Sequence, residues 1–345
     1  MSRVPFIGLT CALACGTLDA IILSSLKVNT MREPISIDDP QPSFSWRVDA
    51  DGTRGVVVEG YELKMHQLDV NGKVVASWTS GEVKSNQTQY VQLQDAPPLL
   101  SDCDYSWQVR AFTPEPTAWS YSTFSTGLLE QSDWAESGWI QSANTTGKAT
   151  QMRKAFTLQP GVIRRARAYI ALPGFGAVWI NGHKVDGRAG TRSLSQYDFR
   201  ALYHTYDVQQ YLRAGEENVI GVYVGVGWFG HPAGGSKFGP PTLRMLLNIQ
   251  TGGASARGNG SDLHATAVGT DKTWVENPGP VQYQDIYNGT VYDARLETPG
   301  WATPGYVFNP TMGSYSLCRP STPILSECVL CVMSCAFSCG HHMQV

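Results

Sequence analysis

An all-β fold of tandem β-sandwiches is predicted by three observations. The chain carries 35 Gly, 10 Trp and 15 Tyr while only 16% of its residues are charged, the composition of many short strands joined by tight turns. Alternating apolar runs meet across two Asn-Gly pairs, Asn71-Gly72 and Asn181-Gly182, and such a pair readily supplies the positive φ angles that a two-residue hairpin turn demands. At 345 residues the chain is long enough for two cores, so two domains are expected, with tails.

Net charge is −3 and the isoelectric point is near 6.2. No broad basic field or Lys/Arg run is available to hold a phosphate backbone, which argues against a nucleic-acid partner. Cysteine is lopsided, with Cys11 and Cys15 near one end, Cys318, Cys328, Cys331, Cys335 and Cys339 near the other, and Cys103 alone between, so no disulfide framework is expected in the middle. Sequons stand at Asn86, Asn144, Asn259 and Asn288, and Arg3 precedes an apolar run over residues 4–18 that resembles a signal peptide. Residues 1–27 therefore read as a leader or possible signal peptide, and the protein as extracellular and glycosylated. The apolar run 324–339 contains Glu327 and is shorter than the ~20 residues a span requires, so no membrane crossing is expected.

Residues 28–126 form the first expected domain. An early strand ends at Phe44-Ser45-Trp46. Tyr61, Leu63 and Met65 then share one strand face, Asn71-Gly72 reverses the chain, Val75 and Trp78 continue the partner strand, and residues 90–93 make a further short one. Tyr105, Trp107, Val109 and Ala111 alternate inward, and Leu99 lies six residues before Tyr105, the pattern of a tyrosine corner in an immunoglobulin-like sandwich. With a last strand at 120–125 the segment resembles a fibronectin type III module. Trp46 and Trp107 sit in phase with apolar neighbours, which makes them core residues rather than sugar-stacking ones.

Residues 127–147 read as a linker with one or two helical turns, whose Trp134 and Trp139 pack on the domain that follows. The second domain, residues 148–305, opens with strands at 152–158 and 164–172. In the latter Ala166, Ala168 and Ile170 face one way and Arg165 and Arg167 the other. The Asn181-Gly182 hairpin comes next, then a short helix over residues 207–214 with Asp207 as N-cap and Gly215 as its left-handed stop, then a buried strand over 219–226. The glycine-rich loop 227–235 lacks the P-loop ending and the dinucleotide spacing, so no nucleotide is expected there. Strands at 243–249 and ending at 270–274 follow. Asp293 and Arg295 lie two apart on an expected strand and so share a face, where the guanidinium can engage a carboxylate or a pair of sugar hydroxyls; the plainer reading is an orienting ion pair.

The runs RKAF, AYIALPGFGAVWINGHKV, YHTYDVQQYLRAGEENVIGVYVGVGWFG and DIYNGTVYDARLETPGW together resemble the N-terminal portion of bacterial- and fungal-type α-L-rhamnosidases of glycoside hydrolase family 78. PISIDDPQPSFSW and YSWQVRAF are similar to the fibronectin-like module that precedes it in those enzymes. The resemblance covers residues 28–301. It implies a galactose-binding-like jelly roll as the second domain and inverting release of terminal α-L-rhamnose from a glycoside or polysaccharide. Two departures stand out. Gly289-Thr290 replaces the Gly-Glu usual ahead of the YDAR motif, and the family's catalytic (α/α)6 barrel has no counterpart here, which implies an accessory region inactive alone.

Inversion needs an acid and a base carboxylate ~6.5–9.5 Å apart. The adjacent pairs Asp38-Asp39 and Glu216-Glu217 read as surface, so no catalytic residue is assigned. Two alternatives are a stand-alone carbohydrate-binding protein and a fibronectin-type interaction module. In a sugar-binding role Trp228, Phe229, His231, Tyr292, Asp293 and Arg295 are the candidate contacts. No cofactor is implied. Residues 306–345 form an atypical Cys-rich tail whose Cys328, Cys331, Cys335 and Cys339 lack a common zinc spacing, so no metal site is assigned.

Overall fold

The computed structural model describes residues 21–50, 52, 54–113, 115–135, 137–143, 148–185, 191–192, 194–197, 199–230, 238–253, 263–285, 287–307, 316–317, 319–320 and 329–332. Two bodies of β-structure follow one another, each closed over its own apolar core.

The first is a sandwich. One sheet joins β1 (Ile22–Val28), β2 (Ser43–Asp49) and β5 (Val91–Gln92) in the order β1-β2-β5. The other runs β4 (Val74–Val83), β3 (Gly60–Leu68), β6 (Asp104–Thr113) and β7 (Glu115–Pro116), with β8 (Ser120–Ser125) also on β6. Tyr105, Trp107, Val109 and Ala111 point inward from β6 and meet Phe44, Trp46, Leu63 and Met65. Phe44 and Trp107 stand edge to face at 4.8 Å, and a buried side chain of this size contributes about 1.5–3 kcal/mol. The tyrosine corner is present, since the Tyr105 hydroxyl accepts from Leu100 N–H at 2.9 Å.

Two details differ from expectation. Strand β1 lies ahead of the boundary expected at Val28. The Asn71-Gly72 reversal is longer than a two-residue turn: Gly72 has φ +76° but Asn71 is not left-handed. Asp69 explains this, because its carboxylate accepts from the N–H groups of Asn71 and Lys73, both at 2.9 Å, stabilising an Asx-type loop.

In the second body, one sheet runs β13 (His183–Lys184), β12 (Phe175–Ile180), β16 (Glu217–Gly225), β10 (Thr150–Thr157), β19 (Val275–Pro278) and β22 (Ser316–Leu317), with β14 (Thr191–Arg192) also on β12. The facing sheet runs β23 (Arg319–Pro320), β9 (Ile140–Gln141), β17 (Thr242–Gly252), β11 (Val162–Ala171), β15 (Arg200–Asp207) and β24 (Val329–Val332), with β18 (His264–Gly269) also on β17. Between them lie Met152, Ala166, Ala168, Ile170, Val178, Ile180, Ile220, Val222, Val224, Leu243, Met245 and Leu247, all fully buried. Three short strands from the Cys-rich tail, β22, β23 and β24, lie at the edges of these sheets.

The Asn181-Gly182 turn has φ +50° and +83°, the two left-handed residues of a tight hairpin turn. Asn181 also explains the junction beyond it. Its side-chain amide donates to Tyr211 O and Asn218 Oδ1, and its Oδ1 accepts from Val219 N–H, each at 2.8 Å.

The helix expected over 207–214 is instead a single 3-10 turn, Gln209–Tyr211. Asp207 remains paired with Arg167 as the last residue of β15, while Val208 and Leu212 are buried. Strand pairing and those two anchors leave too few residues for a second turn. Gly215 does take the left-handed conformation, at φ +76°. The strand expected to end at 270–274 is a connection between β18 and β19, with Trp274 buried and its indole N–H donating to Gly269 O at 3.0 Å.

A charge cluster joins the two bodies. Arg165 and Arg167 on β11 lie on the face opposite Ala166, Ala168 and Ile170, as the alternation predicts, and are 7% and 8% exposed in their side chains. Arg165 pairs with Asp102 and, at 2.9 Å, with Asp104; Arg167 reaches Asp104 at 3.2 Å. Tyr169 and Asn248 also donate to Asp102. Above this cluster the linker packs as expected: Trp134 and Trp139 are buried with Tyr169 and Tyr203, and Leu128 N–H donates to the Tyr203 hydroxyl at 2.9 Å.

Candidate functional site

The sheet containing β16 turns Ile220, Val222 and Val224 into the core, so by strand alternation Gly221, Tyr223 and Gly225 face out. Residues 298–303 cross that outer face as a strap. Trp301 and Ala302 lie directly on Gly221, where a Cβ would come within 2.6–2.9 Å of them; a side chain there would push the strap off. Arg153 donates to Trp301 O at 3.1 Å and Thr303 O at 3.2 Å, Thr298 donates to Gln151 Oε1 at 2.8 Å, and Trp301 meets Trp179 edge to face at 5.5 Å.

Beside the strap stands the hairpin of β20 (Val281–Asp285) and β21 (Gly289–Tyr292). Val281 N–H donates to the Tyr223 hydroxyl at 3.2 Å, and Lys148 donates to Gln282 Oε1 at 2.9 Å. Its open side chains include Tyr287 at 69%, Val291 at 57% and Tyr292 at 53% exposure. Trp228 reaches Tyr287 edge to face at 5.7 Å, so the tip of the hairpin and the loop after β16 form one surface. Rings standing in water with an adjoining polar rim are suited to the C–H faces of a sugar.

The structure divides the six candidate contacts. Trp228 belongs to this surface through Tyr287, and Tyr292 is exposed at the base of the same hairpin. Phe229 does not, because it is 2% exposed and packed against Tyr197 and Phe238, while Trp228 is half-buried at the edge of the same cluster. His231 lies outside the described residues. Asp293 and Arg295 are not on a strand: Asp293 caps the 3-10 turn Ala294–Leu296, and the Arg295 guanidinium grips the Asp293 carboxylate through two hydrogen bonds of 2.9 and 2.7 Å. That grip brings the Asp293 carboxyl down to about 2. The guanidinium fork is therefore occupied within the turn, the ion-pair reading of the motif.

The Tyr292 hydroxyl donates to Glu297 Oε1, a bond that pushes its pKa up. It keeps the phenol protonated beside the exposed ring. Sequence reasoning did not find Tyr287, whose alternation is hidden by the turn at Asp285, where one carboxylate oxygen accepts from both Tyr287 and Asn288 N–H at 2.8 and 2.7 Å.

Of the sequons, Asn86 and Asn288 are exposed, while Asn144 and Asn259 lie outside the described residues. The adjacent carboxylate pairs do structural work. Asp39 accepts from Asn29 and Gln41, Glu216 pairs with Arg213 at 3.8 Å, and Glu217 accepts from Gly305 N–H at 3.2 Å. Among the described residues no group of three or more His, Cys, Asp and Glu is placed to hold a metal ion, and no helix is long and apolar enough to cross a membrane. Of the tail cysteines, Cys328, Cys335 and Cys339 and the Cys331 side chain are outside the described set.

An immunoglobulin-like module leading into a strapped β-sandwich is the architecture of the N-terminal region of a glycoside hydrolase. Residues 23–130 match the family model of the Rha78A-like N-terminal immunoglobulin domain, and residues 161–326 that of the α-L-rhamnosidase N-terminal domain. The chain belongs to the family 78 α-L-rhamnosidases as an N-terminal portion. It is 28% identical over 315 residues to an α-L-rhamnosidase of Formosa agariphila, an alignment covering 81% of this chain and 32% of that protein. Its fold is similar to that of the α-L-rhamnosidase from Dictyoglumus thermophilum, at TM-score 0.77 and 24% identity, and of that from Aspergillus terreus, at 0.71 and 26%; each superposition covers 90% of this chain and 35% of the other. The chain thus spans about a third of the length of these relatives.

Proposed function

We propose that this chain is the accessory, non-hydrolytic region of an α-L-rhamnosidase and that it presents rhamnose-containing glycosides or polysaccharides to that activity. The observation that carries the reading is the order of the two matched modules on one chain, joined by the Arg165 cluster rather than by a free linker. Inverting hydrolysis is then the work of a carboxylate pair outside the two modules. The second module is read as a jelly roll, the protein as extracellular, and its sequons as glycan acceptors.

A second reading, a carbohydrate-binding protein in its own right, is favoured by the open ring of Tyr287 beside Trp228 and by the exposed ring of Tyr292 on the same hairpin. Both readings place sugar on that surface. Titration calorimetry with rhamnogalacturonan fragments and aryl rhamnosides tests it. Binding heat is expected, weakened by Trp228→Ala; no heat with any of these ligands removes the sugar-contact role and leaves only the accessory assignment.

A further inference from the structure

The first module carries a groove unrelated to the hairpin surface. It has a volume of about 440 Å³ and lies between β2, the approach to β3 and the segment after β4, with Arg47, Val56, Val57, Asn86, Thr88 and Gln89 in its lining. Its size falls within the ~300–1,000 Å³ usual for small-ligand clefts. One wall is apolar, with Val57 68% exposed. The opposite wall is fixed to the sandwich: Trp46 N–H donates to Thr88 O at 2.9 Å and Gln89 Nε2 to Trp46 O at 2.8 Å.

Asn86 and Thr88, the acceptor and hydroxyl positions of the sequon Asn86-Gln87-Thr88, both line this groove. We propose that Asn86 is N-glycosylated and that the groove seats the first N-acetylhexosamine of its own glycan against Val56 and Val57. The inference rests on the extracellular reading. In the transfer, Asn86 Nδ2 loses a proton and bonds the anomeric carbon, while the C1–O bond to a polyprenyl-diphosphate-linked donor breaks and the diphosphate leaves with the electron pair. The sugar's C–H face covers the valines, and its acetamide and hydroxyls lie towards Gln89 and the Arg47 guanidinium, whose Nε pairs with Asp49 at 2.7 Å and whose side chain is 68% exposed.

Asn288 provides the contrast. Its sequon sits on a hairpin turn, and a Cβ at the adjoining Gly289 would meet nothing within 4 Å. A glycan there borders Tyr287 on the second module and not the groove.

The test is secretion of the full chain from a eukaryotic host, glycopeptide mass spectrometry, and hydrogen exchange on three forms: fully glycosylated, trimmed to one sugar per site by an endoglycosidase, and Asn86→Gln. Asn86 is expected to be occupied, with residues 56–58 equally protected in the first two forms and exchanging about fivefold faster or more in Asn86→Gln. Equal exchange in all three forms overturns the seating. An unmodified Asn86 beside a modified Asn288 overturns the site alone, whereas both unmodified overturns the site together with the glycosylated, extracellular reading.

Discussion

Replacing Arg165 by Met removes the central cation between the two modules while leaving an apolar stem of similar length. Asp102 then loses its guanidinium partner and keeps the neutral donors Tyr169 and Asn248, and Asp104 keeps Arg167, at 3.2 Å, and the Ser125 hydroxyl, at 2.6 Å. Breaking a fully buried pair costs about 3–5 kcal/mol. Because Asp102 and Asp104 are 15% and 28% exposed, water relieves part of the stranded charge and the low end, about 3 kcal/mol, is expected. Urea denaturation of the folded chain measures it. The cycle with Asp102→Asn distinguishes pairing from packing: the double variant should lose less than the sum of the singles by about 1–3 kcal/mol. A loss below about 1 kcal/mol for Arg165→Met, or strict additivity, would refute the idea that this pair holds the modules together.

The same cluster sets an acid limit. Burial pushes the Asp104 carboxyl up, but Arg165, Arg167 and the Ser125 hydroxyl outweigh it and hold the carboxyl below its ordinary 3.8. A depressed folded pKa gives stability that is present above 3.8 and lost as pH falls through the folded value, so the wild type should denature in acid below pH 3.8 and Arg165→Met at a higher pH; circular dichroism against pH checks this. Tyr105→Phe removes the acceptor of Leu100 N–H and should cost about 1–3 kcal/mol in thermal or chemical denaturation. Asn181→Ala removes three hydrogen bonds, two of them buried, and an asparagine suited to its left-handed position, and should cost about 2–4 kcal/mol by the same measurement.

Much of the fold is legible along the chain because alternation is a local property. β6 needs only Tyr105, Trp107, Val109 and Ala111 to declare its inner face, and the Asn181-Gly182 turn needs only its two residues. What sequence misreads depends on partners far away. Alternation puts Arg165 and Arg167 on one face, but what covers that face, Asp102 and Asp104 some sixty residues earlier, leaves no local trace. The 207–214 segment has helix signals at both ends, yet β15 holds Asp207 in a strand. The candidate site divides in the same way. Trp228 and Phe229 are neighbours of similar chemistry, and only packing against Tyr197 and Phe238 makes the second a core residue.

The central claim is that these modules assist glycoside hydrolysis without performing it. Incubating the purified chain with a chromogenic aryl α-L-rhamnoside and following release of the aryl alcohol tests that claim most directly. No release above the buffer blank is expected; turnover that scales with protein concentration and survives repurification would mean that a catalytic carboxylate pair lies within this chain.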